Sequence, residues 1–184
     1  NNEIANNNFS KNKEFINCIN YLKKTKKSLH LLGLLSDGGV HSHYGHLFHI
    51  VNILKKMHME NVFIHSFLDG RDTVPNKGIE SIEKLSALIR DSKIKLATIM
   101  GRYYSMDRDM RWDRMKLAYD AMVRGKGVKS YDFLDSIKKS YDKNVFDEFI
   151  LPTVGMEKDK PICKINDGDV VFTYNFRSDR MRKL

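Results

Sequence analysis

The chain has 184 residues, of which 41% are hydrophobic and 30% charged, and its formal net charge is +9. These values fit one globular domain with its own hydrophobic core. No apolar run reaches the roughly 18 residues of a membrane-spanning helix, so no membrane partner is expected. Cys18 and Cys163 are isolated, which argues against a disulfide framework or a zinc site and favours a reducing cytoplasmic location.

The two ends and the charge pattern add further expectations. Residues 1–8 are rich in asparagine and lack both an initiator methionine and a signal-peptide segment, which predicts an excised fragment. Lysines lie in runs typical of solvated helix faces, whereas arginines follow apolar strands. No aromatic and basic recognition signature accompanies the charge, so nucleic acid is not an expected partner.

Apolar runs alternate with amphipathic segments along the chain. In chain order, we predict a helix over Phe15–Leu22, a strand over Leu29–Leu35, a helix over Leu47–Leu54, a strand over Val62–Leu68, a helix over Ile79–Ile89, a strand over Leu96–Met100, helices over Trp112–Val123 and Phe133–Tyr141, an irregular stretch through Pro152 and Pro161, a strand over Val170–Phe176, and a helix that begins at Arg177 and is cut off at Leu184.

This alternation of strands and helices predicts an α/β fold, with a mainly parallel sheet and helices on both of its faces. We expect a leading segment over residues 1–28 and a single domain over residues 29–184, truncated at its C-terminal end. In such sheets, ligands bind beyond the carboxyl ends of the strands. The loops that follow the four predicted strands are therefore the candidate site.

Charged side chains are concentrated in these four loops. Guanidinium groups form two parallel hydrogen bonds to a carboxylate or a phosphate, so several of them at one sheet edge predict a site for a small, multiply anionic ligand. In chain order the loops contribute His41 and His43, Arg71 and Asp72, Arg102 and Arg108, and Arg177 and Arg180.

Other polar residues in these loops have simpler interpretations. The histidines at 41, 43, 46 and 49 resemble metal spacing, but no acidic or cysteine partner is near in sequence, and capping or half-buried roles are favoured. Residues 38–39 are two glycines that could cradle a phosphate, without the Lys-Ser/Thr ending of a P-loop. For Asp37 and Asp69 the sequence leaves two roles equally open, fixing loop turns and contacting a ligand, and Arg111 and Arg114 are expected to pair with acids such as Asp107 or Asp113.

Taken together, the loops resemble a known family. The stretches 33–43 (GLLSDGGVHSH), 67–72 (FLDGRD), 101–112 (GRYYSMDRDMRW) and 174–180 (YNFRSDR) are similar, in order and spacing, to motifs of the cofactor-independent (2,3-bisphosphoglycerate-independent) phosphoglycerate mutases. Residues 147–149 (DEF) also look familial. The family usually has proline where this chain has Ser178.

The resemblance implies a two-domain enzyme, a cytoplasmic isomerase of glycolysis and gluconeogenesis, of which this chain is the inserted phosphotransferase domain. The implied substrate-binding residues are His41, Arg71, Asp72, Arg102, Arg108, Arg177 and Arg180. Among them, the last two would hold the carboxylate of phosphoglycerate and the other three arginines would neutralise carboxylate or phosphate charge. Asp72 would bond the glycerate hydroxyls and is the candidate for proton transfer, and His41 would bond the phosphoryl group.

The resemblance also places some parts outside the chain. A nucleophilic serine and the ligands of two manganese ions would lie in a missing alkaline-phosphatase-like domain of the same polypeptide. No metal or other cofactor is therefore expected in this chain, and the reaction needs no bisphosphoglycerate. We expect the chain alone to be inactive. The alternatives are a non-catalytic anion-binding module and an accessory domain of a metal-dependent phosphatase.

Overall fold

A computed structural model describes residues 9–177, 179 and 181 of the chain. Its strands are β1 (Leu29–Leu35), β2 (Val62–Leu68), β3 (Lys95–Gly101), β4 (Val128–Ser130), β5 (Thr153–Glu157), β6 (Lys160–Pro161) and β7 (Val170–Thr173). Its helices are α1 (Lys13–Thr25), α2 (Tyr44–Lys56), α3 (Gly78–Ile89), α4 (Arg102–Ser105), α5 (Trp112–Val123) and α6 (Phe133–Tyr141), with 3₁₀ turns at Phe9–Lys11 and Asp147–Phe149.

The strands form one mixed sheet in the order β4-β5-β3-β2-β1-β7, with β6 paired to β5 outside this path. Four neighbouring strands, β7, β1, β2 and β3, are parallel to one another. β5 runs antiparallel to β3, and the short β4 runs parallel to β5. The prediction of a mainly parallel α/β sheet is therefore confirmed.

The buried apolar residues form two clusters. Alternate residues of β1 belong to different clusters, since Leu29 and Leu31 lie in one and Leu32 and Leu34 in the other. The first cluster receives buried side chains from α1, α2, α3 and α6, and the second receives them from α5. Helices thus cover both faces of the sheet, as predicted.

Most of the predicted elements are confirmed, two of the strands and two of the helices to the residue. The interpretation of 152–161 as irregular is wrong, because this stretch contains β5 and β6. The last strand ends at Thr173 rather than at Phe176. After Thr173 the Tyr174 N–H still donates to the Leu32 carbonyl at 3.1 Å, and then a side chain takes over the pairing with β1: the Asn175 Oδ1 atom accepts a hydrogen bond from the Leu34 N–H, at 2.9 Å.

Two predictions concern the ends of the chain. The helix expected from Arg177 includes positions 178, 180 and 182–184, which lie outside the described residues. The boundary at residue 29 stays a prediction, although α1 packs against the same core as the later elements, with Phe15, Ile19 and Leu22 buried. None of the helices in the described part of the chain is long and apolar enough to cross a membrane.

Candidate functional site

The fold brings the predicted loops to one edge of the sheet. The strands β7, β1, β2 and β3 are adjacent and parallel, so the loops after their carboxyl ends are neighbours. The loops also contact one another through the backbone. The N–H groups of Phe176 and Arg177 both donate to the carbonyl oxygen of His41, at 2.9 and 3.4 Å. The position of Arg177 is thereby tied to the loop that carries His41.

Arg102 is the most buried of the predicted arginines in the described chain, with 5% of its surface exposed. Its Nη1 atom donates to the Asp69 Oδ1 atom at 2.6 Å and to the Asp72 Oδ2 atom at 2.5 Å. Burial alone would lower the pKa of Arg102, but the hydrogen bonds to Asp72 and Asp69 outweigh it and raise the pKa above its ordinary value. Arg102 therefore stays charged and fixes the orientation of Asp72.

Asp69 joins three of the loops. Burial raises the pKa of its carboxyl group, but hydrogen bonds from Ser36, the Asp72 N–H and Arg102 lower it below the ordinary value. One carboxylate oxygen accepts from the N–H groups of Arg71 and Asp72 at 3.2 and 3.0 Å, and the other accepts from the Ser36 hydroxyl at 2.5 Å. Of the two roles that the sequence left open for Asp69, these contacts show the one of fixing a turn.

His41 lies beside this cluster. It is 4% exposed, and its Nε2 atom is 3.9 Å from the Asp72 Oδ2 atom. The neighbouring His43 caps helix α2, because its Nδ1 atom accepts a hydrogen bond from the Gly45 N–H at 3.1 Å. The interpretation of His43 as a capping residue is confirmed, whereas the binding role of His41 stays a prediction.

Three of the predicted arginines surround one small cavity of about 120 Å³ at this edge. Arg71 is 55% exposed in its side chain and lies 3.4 Å from the Glu148 carboxylate, and Arg108 is exposed. Arg177 is also exposed, at 52%, with its Nε atom 3.8 Å from Asp179. Arg180 lies outside the described residues. The lining residues of the cavity are Arg71, Arg102, Tyr103, Met106, Asp107, Arg108, Asp109, Arg114 and Glu148.

Six of these lining residues were not among the predicted site residues, and two of the six, Arg114 and Glu148, lie outside the loop 101–109 that was predicted to form part of the site. Arg114 does pair with Asp107, at 3.5 Å, as expected, yet its side chain is only 19% exposed and stacks 3.9 Å from the centre of the Tyr103 ring. Glu148 lies in the turn Asp147–Phe149, which is far in sequence from the loops after β2 and β3. Its place in the DEF motif was the signal that the sequence offered for it.

Cavity size alone would direct attention elsewhere. A larger cavity of about 670 Å³ lies between β4 and α6, and it is lined mainly by lysine, serine and apolar residues such as Lys129, Ser136 and Leu151. None of the predicted site residues lines it. The carboxyl-edge cavity is the better candidate because its charged groups converge from separate loops.

A second polar cluster is buried within the sheet. His30 and His65 are fully buried, and their Nδ1 and Nε2 atoms lie 2.9 Å apart. Asp169 lies 3.3 Å from the other nitrogen of His30, and Thr98 lies 2.9 Å from the other nitrogen of His65. Burial, followed by the neighbouring His30, lowers the pKa of His65 to about 3, so His65 is neutral at pH 7.

This cluster also includes Cys163, whose sulfur lies within 4.8 Å of the two histidine nitrogens. The three donors poorly fit a resident metal. A hydrogen bond already joins the two histidines, and burial raises the pKa of the Cys163 thiol to about 12, far from the thiolate that binds metals. At the carboxyl edge, Asp69 and Asp72 are bonded to Arg102. The expectation that this chain binds no metal stays a prediction.

The fold and this edge define a class: an α/β domain in which converging arginines and aspartates surround a small cavity at the carboxyl ends of parallel strands. A family model described as the BPG-independent PGAM N-terminus matches residues 1–184. The chain therefore belongs to the 2,3-bisphosphoglycerate-independent phosphoglycerate mutase family, as the motifs predicted.

Individual relatives agree with this family. The enzymes named 2,3-bisphosphoglycerate-independent phosphoglycerate mutase from Clostridium perfringens and Clostridium beijerinckii are 46% and 47% identical over 99% and 98% of the chain. A phosphoglycerate mutase from Leishmania mexicana, solved at low cobalt concentration, superimposes with a TM-score of 0.90 at 28% identity over 98% of the chain. The chain spans 36% of the length of the two clostridial relatives and 35% of the Leishmania chain.

Proposed function

We propose that this chain is the substrate-binding part of a mutase that interconverts 3-phosphoglycerate and 2-phosphoglycerate. The observation that carries the proposal is the convergence of Arg71, Arg102 and Arg108 on one small cavity beside Asp72. A phosphoglycerate carries a carboxylate and a phosphate, both of which suit the planar fork of guanidinium. The names of the relatives support the same substrate class.

In this proposal the residues bind and orient the glycerate rather than attack it. Arg177 and Arg180 hold the carboxylate, while the three cavity arginines neutralise the remaining carboxylate or phosphate charge. Asp72, held in one orientation by Arg102, accepts hydrogen bonds from the glycerate hydroxyls and is the proposed site of proton transfer. His41, 3.9 Å from Asp72, bonds the phosphoryl group or its acceptor oxygen. Holding the glycerate in place limits its loss before the phosphoryl group returns.

The remaining chemistry belongs to the part of the relatives that this chain does not span. We place there the serine nucleophile and a two-manganese centre, which would supply charge neutralisation when bound. The partner is then the phosphatase-like domain of the same polypeptide, and the whole protein works in the cytoplasm without added bisphosphoglycerate. Cobalt in the Leishmania mutase is consistent with a divalent-metal requirement in the family.

The first test is binding. An NMR titration with 3-phosphoglycerate should move signals in the four carboxyl-edge loops. We expect millimolar or weaker affinity, which corresponds to a binding free energy of about 4 kcal/mol or less. Binding should weaken as salt is added, because several charge pairs are involved. Shifts confined to residues distant from these loops would contradict the proposed site.

The second test is activity, measured with a coupled enolase assay. The chain alone should show no turnover, whereas the full-length protein with manganese should be active. In the full-length protein, Arg71→Ala and Arg180→Ala should abolish mutase activity, while the control Arg111→Ala, which removes an exposed pair with Asp113, should not. Turnover by the chain alone would reveal an overlooked nucleophile. A full-length protein that only hydrolyses phosphoglycerate would favour the phosphatase alternative.

A further inference from the structure

Residues 147–150 form a tight turn, here called the cross-loop turn, that lies between the loops after β2 and β3. The Asp147 N–H donates to the Pro75 carbonyl at 2.9 Å, and the Gly101 N–H donates to the Ile150 carbonyl at 2.7 Å. A Cβ atom at Gly101 would lie only 2.1 Å from the carbonyl oxygen of Glu148. The backbone of the turn is therefore in direct contact with both loops.

The Asp147 side chain also anchors the cross-loop turn, through contacts with α3 and α6. It is 1% exposed, and its Oδ2 atom accepts a hydrogen bond from the Gly78 N–H, the first residue of α3, at 2.6 Å. The other carboxylate oxygen accepts a hydrogen bond from the Tyr141 hydroxyl at the end of α6. With its backbone and its buried side chain both held, the turn leaves the neighbouring residue, Glu148, little freedom of position.

Glu148 lines the arginine-rich cavity, as Asp107 and Asp109 do, and it is an acid of this lining that contacts a predicted ligand-binding arginine. Its carboxylate, 19% exposed, lies 3.4 Å from the Nη1 atom of Arg71. A carboxylate on the wall of an anion site repels the ligand. The Glu148 carboxylate also occupies the Arg71 Nη1 donor, which the ligand would otherwise use.

The ion pair between Arg71 and Glu148 differs from the ion pairs that Arg102 makes with Asp69 and Asp72. Arg102 is buried and bonded to two aspartates at 2.5–2.6 Å, whereas Arg71 is more than half exposed and its ion pair with Glu148 is longer, at 3.4 Å. Exposed ion pairs of this kind contribute about 0–1 kcal/mol, so an arriving dianion can displace the acid.

We infer that Glu148 is a resident competitor for Arg71: its carboxylate occupies the guanidinium until the anionic group of the ligand replaces it, and it thereby lowers ligand affinity. Glu148 is a positioning residue that acts through Arg71. The inference rests on the proposed function in taking Arg71 as a ligand-binding group.

The test compares anion binding by the chain and by its Glu148→Gln variant, which keeps the side-chain shape but removes the charge. Titration with 3-phosphoglycerate, and separately with inorganic phosphate, should give about two- to five-fold tighter binding to the variant. The matched control is Glu157→Gln. It makes the same charge change at a β5 carboxylate that pairs with Lys95 of β3, and it should leave affinity unchanged. Thermal unfolding verifies that all variants fold, and Glu148→Ala provides a second substitution.

A double-mutant cycle separates the effect of Arg71 from general charge repulsion. In an Arg71→Gln background, the gain from Glu148→Gln should fall by at least half, because the acid no longer has a guanidinium to occupy. Unchanged or weaker binding by Glu148→Gln, in a chain that does bind 3-phosphoglycerate, overturns the inference and leaves the proposed function standing. Tighter phosphate binding without phosphoglycerate binding supports the inference and overturns the function. Binding of neither anion overturns both.

Discussion

Replacing Arg102 with methionine should destabilise the fold as well as alter the site. The substitution keeps an unbranched apolar stem but removes the guanidinium that bonds Asp69 and Asp72. Breaking a buried ion pair by removing one partner costs about 3–5 kcal/mol, because the remaining charge is left uncompensated. Asp69 would keep its hydrogen bonds from Ser36 and from backbone N–H groups, so we expect a loss of about 3 kcal/mol.

Urea and thermal unfolding at pH 7 would measure this loss. For a domain of this size, about 3 kcal/mol corresponds to a decrease in Tm of roughly 6–12 °C. The control Arg111→Met removes a guanidinium that is 54% exposed and 3.5 Å from an exposed Asp113, and it should cost about 0.5 kcal/mol or less.

A second substitution tests the physical cause. Adding Asp69→Asn to Arg102→Met removes the more buried of the two uncompensated charges and should restore part of the lost stability, about 1 kcal/mol or more. If Arg102→Met is no more destabilising than Arg111→Met, the buried pairs do not stabilise the fold and the reasoning fails. If Arg102→Met is clearly more destabilising than Arg111→Met, loss of activity in Arg102 variants cannot by itself show that Arg102 contacts the substrate.

Three further predictions concern pH, packing and the carboxylate contact. The pKa of His65 lies near 3 in the folded chain but near 6.5 in the unfolded one, so only the unfolded chain gains a proton at this residue between these values. The contribution of His65 to the free energy of unfolding is therefore fully present above pH 6.5, and it falls by up to about 1.4 kcal/mol per pH unit as the pH drops towards 3. Urea unfolding at pH 7, 6 and 5 should show a shallower decline for His65→Gln, and equal slopes would contradict this. Gly101→Ala should cost about 3 kcal/mol in thermal unfolding because its Cβ would overlap Glu148, and a loss below 1 kcal/mol would show that the cross-loop turn yields easily. Arg177→Lys should weaken 3-phosphoglycerate binding almost as much as Arg177→Ala, since both lose the planar fork, and NMR titration showing wild-type affinity for the lysine variant would refute a bidentate role.

The sequence predicted the central strands well because they are buried on both faces. β1 is an apolar run interrupted only by His30 and Gly33, all seven of its residues are buried, and its bounds follow directly from composition. The strands β4 and β5 carried no such signal. β4 has only three residues, two of them exposed, and β5 contacts β3 through two antiparallel pairs. Such short pairings depend on tertiary contacts that single-sequence patterns do not contain.

For the candidate site, the sequence predicted where the charges gather but not how they pair. The rule that parallel strands end at one edge brought Arg71, Arg102 and Arg108 together correctly. It could not show that Arg102 is committed to Asp69, 33 residues away, or that Glu148 would meet Arg71 from 77 residues away. These pairs depend on side-chain reach and burial, which local spacing does not encode.

The buried contact between His30 and Asp169 has a consequence for synthesis of the chain. Its two residues are 139 positions apart, and Asp169 also accepts a hydrogen bond from the Ser28 N–H at the start of β1. Ribosomes add about 5–20 residues per second, so roughly 7–28 s separate the emergence of these partners. Throughout that interval β1 has an open edge on the side that β7 later covers. Until β7 emerges and covers it, that edge of β1 is available for pairing with a strand of another chain.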